Sequence, residues 1–360
     1  MTTLDDLPLR DNLRGQTPYG APQLNVPVAL NVNENTHRIP EAVAHDIVAR
    51  IAETVIGLNR YPDREFTGLR ERLARYLGHG LTAENIWAAN GSNEVLQHVL
   101  SAFAGPGRTL LGFAPTYSMY SLLAAGGDTT WIPGVRDDEY ELSAETAVAQ
   151  VREHQPNVVF LCSPNNPTGT PIDLETIAAI YDATDGVVVV DEAYAEFAPD
   201  GTESALSLLP GRPRLLISRT MSKAFAFAGA RVGYLAADPA AIDALRLVRL
   251  PYHLSALTQA AAEAALDHTA EMLAMVDDIR GQRDRIVARL TELGYTPHRT
   301  HSNFVLFGGV EDPQALFTAL LERGILIRDV GIPGHLRVSA GTESETTAFL
   351  EALSALSSKA

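Results

Sequence analysis

Ser218-Arg219-Thr220-Met221-Ser222-Lys223-Ala224-Phe225-Ala226-Phe227-Ala228-Gly229-Ala230-Arg231 is the stretch on which the fold turns. An apolar run, residues 215–217, leads into it, and one lysine follows among small and apolar side chains. Hydroxyls stand three and one positions before Lys223, and an arginine stands eight after it. An amine crowded by apolar groups and a second cation loses part of its proton affinity and becomes a nucleophile toward carbonyls. Thr220, Ser222 and Arg231 supply the donors of a phosphate cradle. Two readings of this window stand level: a lysine that captures a phosphorylated carbonyl compound, and a buried structural lysine in a small-residue turn.

Upstream, three apolar runs end in polar clusters as this one does. Residues 109–114 end at Pro115-Thr116-Tyr117, and residues 158–162 end at Ser163-Pro164-Asn165-Asn166-Pro167-Thr168-Gly169. Residues 187–190, four valines, end at Asp191-Glu192-Ala193-Tyr194. Unbroken Val/Ile/Leu runs without alternation predict strands buried on both faces, as in a mainly parallel sheet. Ligands of such sheets bind beyond the carboxyl ends of the strands, where all these clusters fall. A further cluster, Asn90-Gly91-Ser92-Asn93-Glu94, follows a short strand and opens a helix through Leu96, Val99, Leu100 and Phe103. Gly91 lets a ligand approach the backbone, and the free amides of the helix start form an anion site; a plain helix cap is the alternative.

Residues 1–40, rich in Pro, Asn and Gly, read as an arm laid over other structure. Val43, Ile47, Ile51 and Val55 then form a helical stripe between Pro40 and Gly57, and a second helix carries Phe66, Leu69, Leu73 and Leu77. From about residue 255 the pattern becomes helical, with short strands near 303–307, 324–328 and 336–339 and a last helix after them. The expected organisation is an arm (1–40), a large α/β domain (41–252) and a small α+β domain (253–360) that takes in part of the arm.

Composition narrows the functional classes. With 44 acidic and 28 basic residues the net charge is −16, which repels phosphate backbones and argues against nucleic acid as a partner. The single cysteine, Cys162, allows no intrachain disulfide, which suits a reducing cytoplasm. The longest uncharged run, residues 109–127, is broken by Pro115 and glycines, so no membrane span is expected. His298 and His301 form the one close histidine pair, without a His-Glu-x-x-His pattern or supporting cysteines, a poor basis for a metal hydrolase.

The polar clusters fit one cofactor, pyridoxal phosphate. Its ring nitrogen needs a carboxylate to keep it protonated, and Asp191 at the end of four valines is the best placed acid. Tyr194 and Asn166 could hydrogen-bond the ring oxygen, and Tyr117 offers a flat face for stacking. A helix cap for Asp191 and core packing for Tyr117 are the plainer alternatives.

Three motifs carry a wider likeness: Ser-Pro-Asn-Asn-Pro-Thr-Gly (163–169), Asp-Glu-Ala-Tyr (191–194), and Ser-Lys-Ala-Phe with Ala-Gly-Ala-Arg (222–231). Their order and spacing resemble fold-type I pyridoxal-phosphate aminotransferases of the aspartate aminotransferase superfamily. Tyr19-Gly20, Leu-Asn-x-Asn-Glu-Asn (30–35), Arg60-Tyr61-Pro62-Asp63, Ile327-Arg328-Asp329 and Leu336-Arg337 are similar to the branch acting on histidinol phosphate, with wording close to actinobacterial members. That resemblance implies a fold-type I transferase: a mostly parallel sheet sandwiched by helices, plus a small α+β domain. It implies that Lys223 carries the cofactor and shuttles a proton between the substrate α-carbon and C4′, that Asp191 pairs with the ring nitrogen, and that Asn166 and Tyr194 contact the ring oxygen. Gly91, Ser92, Asn93, Thr220, Ser222 and Arg231 then hold the phosphate while Tyr117 stacks on the ring. Tyr61 reaches the phosphate of a neighbouring subunit, which implies a homodimer with shared sites. Arg337 binds the carboxylate of glutamate or the phosphate of histidinol phosphate, with Arg328, Tyr19 and Asn35 as helpers. Thr36 stands where the family usually has proline, and Met221 where leucine is common. An aromatic amino acid aminotransferase shares every cofactor residue and is the near rival. A cofactor-sensing regulator would need a basic DNA-binding module that this chain lacks.

Overall fold

Five fully buried strands in a row give the molecule its spine. The computed structural model describes residues 3–17 and 20–357. In chain order its strands are β1 (Val28–Ala29), β2 (Ile86–Ala89), β3 (Thr109–Ala114), β4 (Thr130–Val135), β5 (Val158–Cys162) and β6 (Val187–Asp191). After them come β7 (Leu215–Thr220), β8 (Gly233–Ala237), β9 (Thr296–Pro297), β10 (Phe304–Gly308), β11 (Ile325–Leu326) and β12 (Leu336–Ser339). Seven form the central sheet in the order β2-β8-β7-β6-β5-β3-β4. Neighbours from β7 to β4 run parallel, while β8 runs antiparallel to both β7 and β2. Every residue of β5, β6, β7 and β8 is buried, which is why their apolar runs show no alternation. The fold is the expected α/β type with a mostly parallel sheet.

Register puts the chemistry at one edge. Asp191 pairs with Cys162 on one side and Ser218 on the other, so the ends of β5, β6 and β7 lie level. Two strands escape a reading by apolar runs. Edge strand β4 carries Pro133 and Gly134 and is mostly open to solvent, a composition tolerated only at a sheet edge. Strand β8 begins at Gly233, where a Cβ would collide with the backbone of Gly91 and Ser92.

Helix Glu41–Ile56 buries Val43 and Ile47, but Val55 at the end of the expected stripe is exposed. A four-residue spacing drifts about 40° per step against the 3.6-residue turn, so the last member rotates off the core. Beyond the main sheet, β9, β10 and β12 form a three-stranded antiparallel sheet against the long helix Thr269–Glu292. The arm joins this C-terminal part through parallel pairing of β1 with β11. The strand expected over 324–328 shortens to β11, followed by an isolated bridge between Arg328 and Arg337. Among the described residues no helix is long and apolar enough to cross a membrane, and no cluster of three or more potential metal ligands occurs.

Candidate active site

The strand ends open into a cavity of about 260 Å³. Ser92, Asn93, Tyr117, Asn166, Asp191 and Tyr194 line it from the sheet side, with Thr220, Ser222, Lys223 and Arg231 from the lysine turn and Arg328 and Arg337 from the C-terminal part. Residues 92 to 337 of the sequence thus converge on one volume.

Lys223 sits in the turn after β7, and its Nζ donates to the carbonyl of Val32 in the arm at 3.0 Å. Burial, helped by the Arg337 guanidinium, pushes its amine down to about 8, with Glu34 opposing. The amine therefore gives up its proton more readily than an ordinary lysine, although the ammonium form still predominates at pH 7. Asp191 ends β6 and is nearly sealed from solvent. Its Oδ2 accepts a hydrogen bond from the Tyr120 hydroxyl at 2.9 Å, and its buried Oδ1 has no partner. Burial raises the carboxyl to about 6, against the lowering effect of the Tyr120 bond.

A hydrogen-bonded chain spans the cavity wall. Arg337 donates to Asn166 Oδ1, which turns the Asn166 amide nitrogen toward the Tyr194 hydroxyl at 3.2 Å. Asn33 donates to the same hydroxyl at 3.0 Å, while its own oxygen accepts from Ser339 at 3.1 Å. With both lone pairs of its oxygen engaged, Tyr194 keeps its O–H for a group in the cavity. Arg337 also donates to the Asn31 carbonyl at 2.9 Å and lies over the Phe304 ring. Paired backbone bonds at 2.9 and 2.8 Å hold Arg328 beside Arg337, setting two guanidinium-bearing residues side by side. Behind Asp191, buried Glu192 accepts from Arg219 Nη2 at 2.8 Å and from Ser204 at 2.7 Å, which pins the ends of β6 and β7 together.

Another part of the cavity lining forms an anion cradle. Helix Ser92–Phe103 starts at Gly91 (φ 87°) without a side-chain cap, so its first amides are open to a ligand. Arg231 (φ 56°) turns back so that Nη1 reaches Ser222 Oγ at 3.3 Å. A Cβ at position 91 would strike that guanidinium, so the close approach of loop and arginine requires glycine.

These residues fit the pyridoxal phosphate expected above. The unpartnered Asp191 Oδ1 is an acceptor waiting for a buried N–H, the depressed Lys223 amine suits an aldehyde, and the cradle matches a phosphate.

Of the expected residues, Asn35 and Tyr61 do not line this chain's cavity. Asn35 donates to the Ala224 carbonyl at 3.1 Å, beside the lysine. Tyr61 is 79% exposed and stacks on Tyr252, ring centroids 4.4 Å apart. Tyr19 falls outside the described residues. Asn33 and Tyr120 were not singled out by sequence. The Leu30–Asn35 stretch marks its region, but nothing in it separates Asn33 from Asn35, because the choice depends on the left-handed turn at Asn33 (φ 56°). Tyr120 lies in a helix of apolar residues and carries no local signal at all.

Comparison with known proteins agrees with this geometry. The family model described as aminotransferase class I and II matches residues 26–353. The histidinol-phosphate aminotransferase of Paenarthrobacter aurescens is 65% identical over 356 residues, covering 98% of this chain and 96% of its own. That of Thermobifida fusca is 56% identical over 351 residues, 98% and 96% of the two chains. The crystal structure of histidinol-phosphate aminotransferase from Sinorhizobium meliloti in complex with pyridoxal-5'-phosphate superposes with a TM-score of 0.82. It covers 93% of this chain and 92% of that one; at 24% identity the likeness is one of fold.

Proposed function

The chain belongs to the class I and II aminotransferases, and from that premise we propose that it exchanges an amino group between glutamate and imidazole-acetol phosphate, giving histidinol phosphate and 2-oxoglutarate. The likeness to curated histidinol-phosphate aminotransferases over nearly the whole chain supports this substrate pair and its place in histidine biosynthesis. The geometric observation that carries an anionic substrate is the side-by-side pairing of Arg328 and Arg337 on the cavity wall. Planar guanidinium forks suit a phosphate and a carboxylate alike. An aromatic amino acid would place its own carboxylate on the same arginines, so the likeness to histidinol-phosphate aminotransferases, rather than the arginine pair, favours histidinol phosphate over the aromatic amino acid aminotransferase reading.

When bound, pyridoxal phosphate supplies an electron sink that weakens the bonds at the substrate's α-carbon. Ser92 and Asn93, beside Gly91, hold its phosphate together with Thr220, Ser222 and Arg231. Tyr117 stacks on the ring; Asn166 and Tyr194 donate to the ring oxygen. Asp191, ionised above about pH 6, holds a proton on the ring nitrogen. Lys223 would hold the cofactor's aldehyde and would take the proton from the substrate's α-carbon; burial beside Arg337 keeps its amine below the ordinary lysine value, which suits that task. Arg337 binds the carboxylate of glutamate in one half-reaction and the phosphate of histidinol phosphate in the other, with Arg328, Tyr19 and Asn35 assisting.

The active species is a cytoplasmic homodimer with shared sites, in which Tyr61 reaches the cofactor phosphate of the neighbouring copy. Exposed Tyr61, Leu247, Leu250 and Tyr252 support a paired face. Residues 41–252 form the cofactor domain, and 253–360 with part of the 1–40 arm form the small one. Steady-state turnover of histidinol phosphate against phenylalanine tests the assignment: kcat/KM should favour histidinol phosphate, and a strong preference for phenylalanine defeats it.

A further inference from the structure

We propose that Tyr120 is a positioning residue that fixes which oxygen of Asp191 is offered to the cofactor's ring nitrogen; the assignment rests on the function proposed above. Tyr120 does not line the cavity and is completely buried behind it. Its hydroxyl donates to Asp191 Oδ2 at 2.9 Å and the Ala193 backbone N–H also acts on the carboxylate, while Oδ1 makes no hydrogen bond within the chain.

The hydroxyl is itself held in place. The Tyr120 ring meets Phe160 of β5 edge-on at 5.0 Å and Tyr117 edge-on at 5.6 Å. Phe160 lies within the buried strand next to β6, which leaves the Tyr120 ring no room to swing. Tyr117 is the residue whose face the cofactor ring would stack on. One buried side chain therefore touches both the stacking platform and the acid, and sets their relative placement. A carboxylate free to rotate about its last torsion would present either oxygen, or a protonated one. The Tyr120 bond removes that freedom and favours the ionised form, as its lowering effect on Asp191 indicates.

The test is binding, read by absorbance and fluorescence titration of the cofactor-free full chain. Two probes are compared: pyridoxal phosphate, and its 1-deaza analogue, in which the ring nitrogen is replaced by C–H. Tyr120→Phe keeps the ring and its packing and removes only the hydroxyl. It should weaken pyridoxal phosphate about tenfold, the size of one hydrogen bond to a charged group, and leave analogue binding unchanged within about twofold. Equal weakening of both probes would mean that Tyr120 is only structural, and no weakening of either would mean that its hydroxyl does nothing; each overturns the proposal. A second comparison tests whether the effect runs through Asp191. In an Asp191→Asn background, Tyr120→Phe should no longer change the preference between the probes, and a persistent tenfold change there also overturns it. Failure of the cofactor assignment looks different, because the wild-type chain would then bind neither probe, and failure of the substrate assignment alone would leave both titrations as predicted.

Discussion

The floor of the cavity and the outer face around Tyr61 are built in opposite ways. On the floor, Asp191, Tyr120, Tyr194 and Asn166 are buried and joined by hydrogen bonds between three segments of one chain. On the face, Tyr61, Leu247 and Leu250 are 79%, 87% and 75% exposed, and the main contact is one aromatic stack, Tyr61 on Tyr252. A buried polar group must be satisfied inside the fold or by a ligand; the floor's hydrogen bonds come from one chain, and Asp191 Oδ1 is left for the cofactor. Exposed apolar side chains of that size are completed from outside. Acid, amine and the cradle residues described above thus come from one chain, whereas the proposed pairing would draw on the exposed face.

The contrast breaks most easily at the lysine. Lys223→Ala should lower transamination by roughly 10⁴-fold or more, as expected for loss of a proton-transfer group that also anchors the cofactor, at any protein concentration. Stopped-flow assays across a dilution series check this; a loss relieved by concentration would move Lys223 to the association side.

Next in size is the pH dependence of the cofactor-free fold. Asp191 rises from 3.8 to about 6 in the folded chain, so between those values the folded state binds the extra proton and stability falls as pH rises. The burial cost of the ionised acid is about 3 kcal/mol above pH 6, at 1.36 kcal/mol per unit. Urea unfolding of wild type and Asp191→Asn at pH 4 and 7 reads it. The wild type should lose stability relative to the variant on going to pH 7. Lys223, depressed from 10.5 to about 8, adds the reverse trend in its own window, stability rising from pH 8 to 10.5.

Arg337→Lys should cost about 10- to 100-fold in kcat/KM, because a point charge replaces a fork that also holds Asn166 and Asn31. Loss confined to KM would mean that Arg337 binds both substrates uniformly and leaves Asn166 undisturbed.

The smallest effect belongs to the face. Leu247→Ser should leave the stability of the separate chain within about 0.5 kcal/mol and weaken pairing by roughly tenfold, the worth of part of a buried leucine, as seen by sedimentation equilibrium. Equal destabilisation of the dilute chain would erase the distinction between floor and face.

Legibility in the sequence followed the same division. Residues at strand ends, Asp191, Tyr194, Asn166 and Lys223, were readable because a buried parallel strand advertises itself as an apolar run and the ligand edge is where the run stops. Tyr120 was not, since its importance arises from a contact across 71 residues with Asp191 that no local pattern encodes. Asn33 was hidden by a left-handed turn, and Val55 by a helical drift that separates exposed from buried within one stripe. Strand β4 lacked a signal because its Pro-Gly pair is permitted only by its position at the edge.

The chain contains only two lysines, Lys223 and Lys359, which makes the central claim unusually direct to test. Borohydride reduction of the chain loaded with pyridoxal phosphate, followed by digestion and mass spectrometry, should place the cofactor's mass on the peptide holding Lys223. That label should vanish in Lys223→Ala. A label on Lys359 or the terminal amine instead, or one that survives the substitution, would contradict the account.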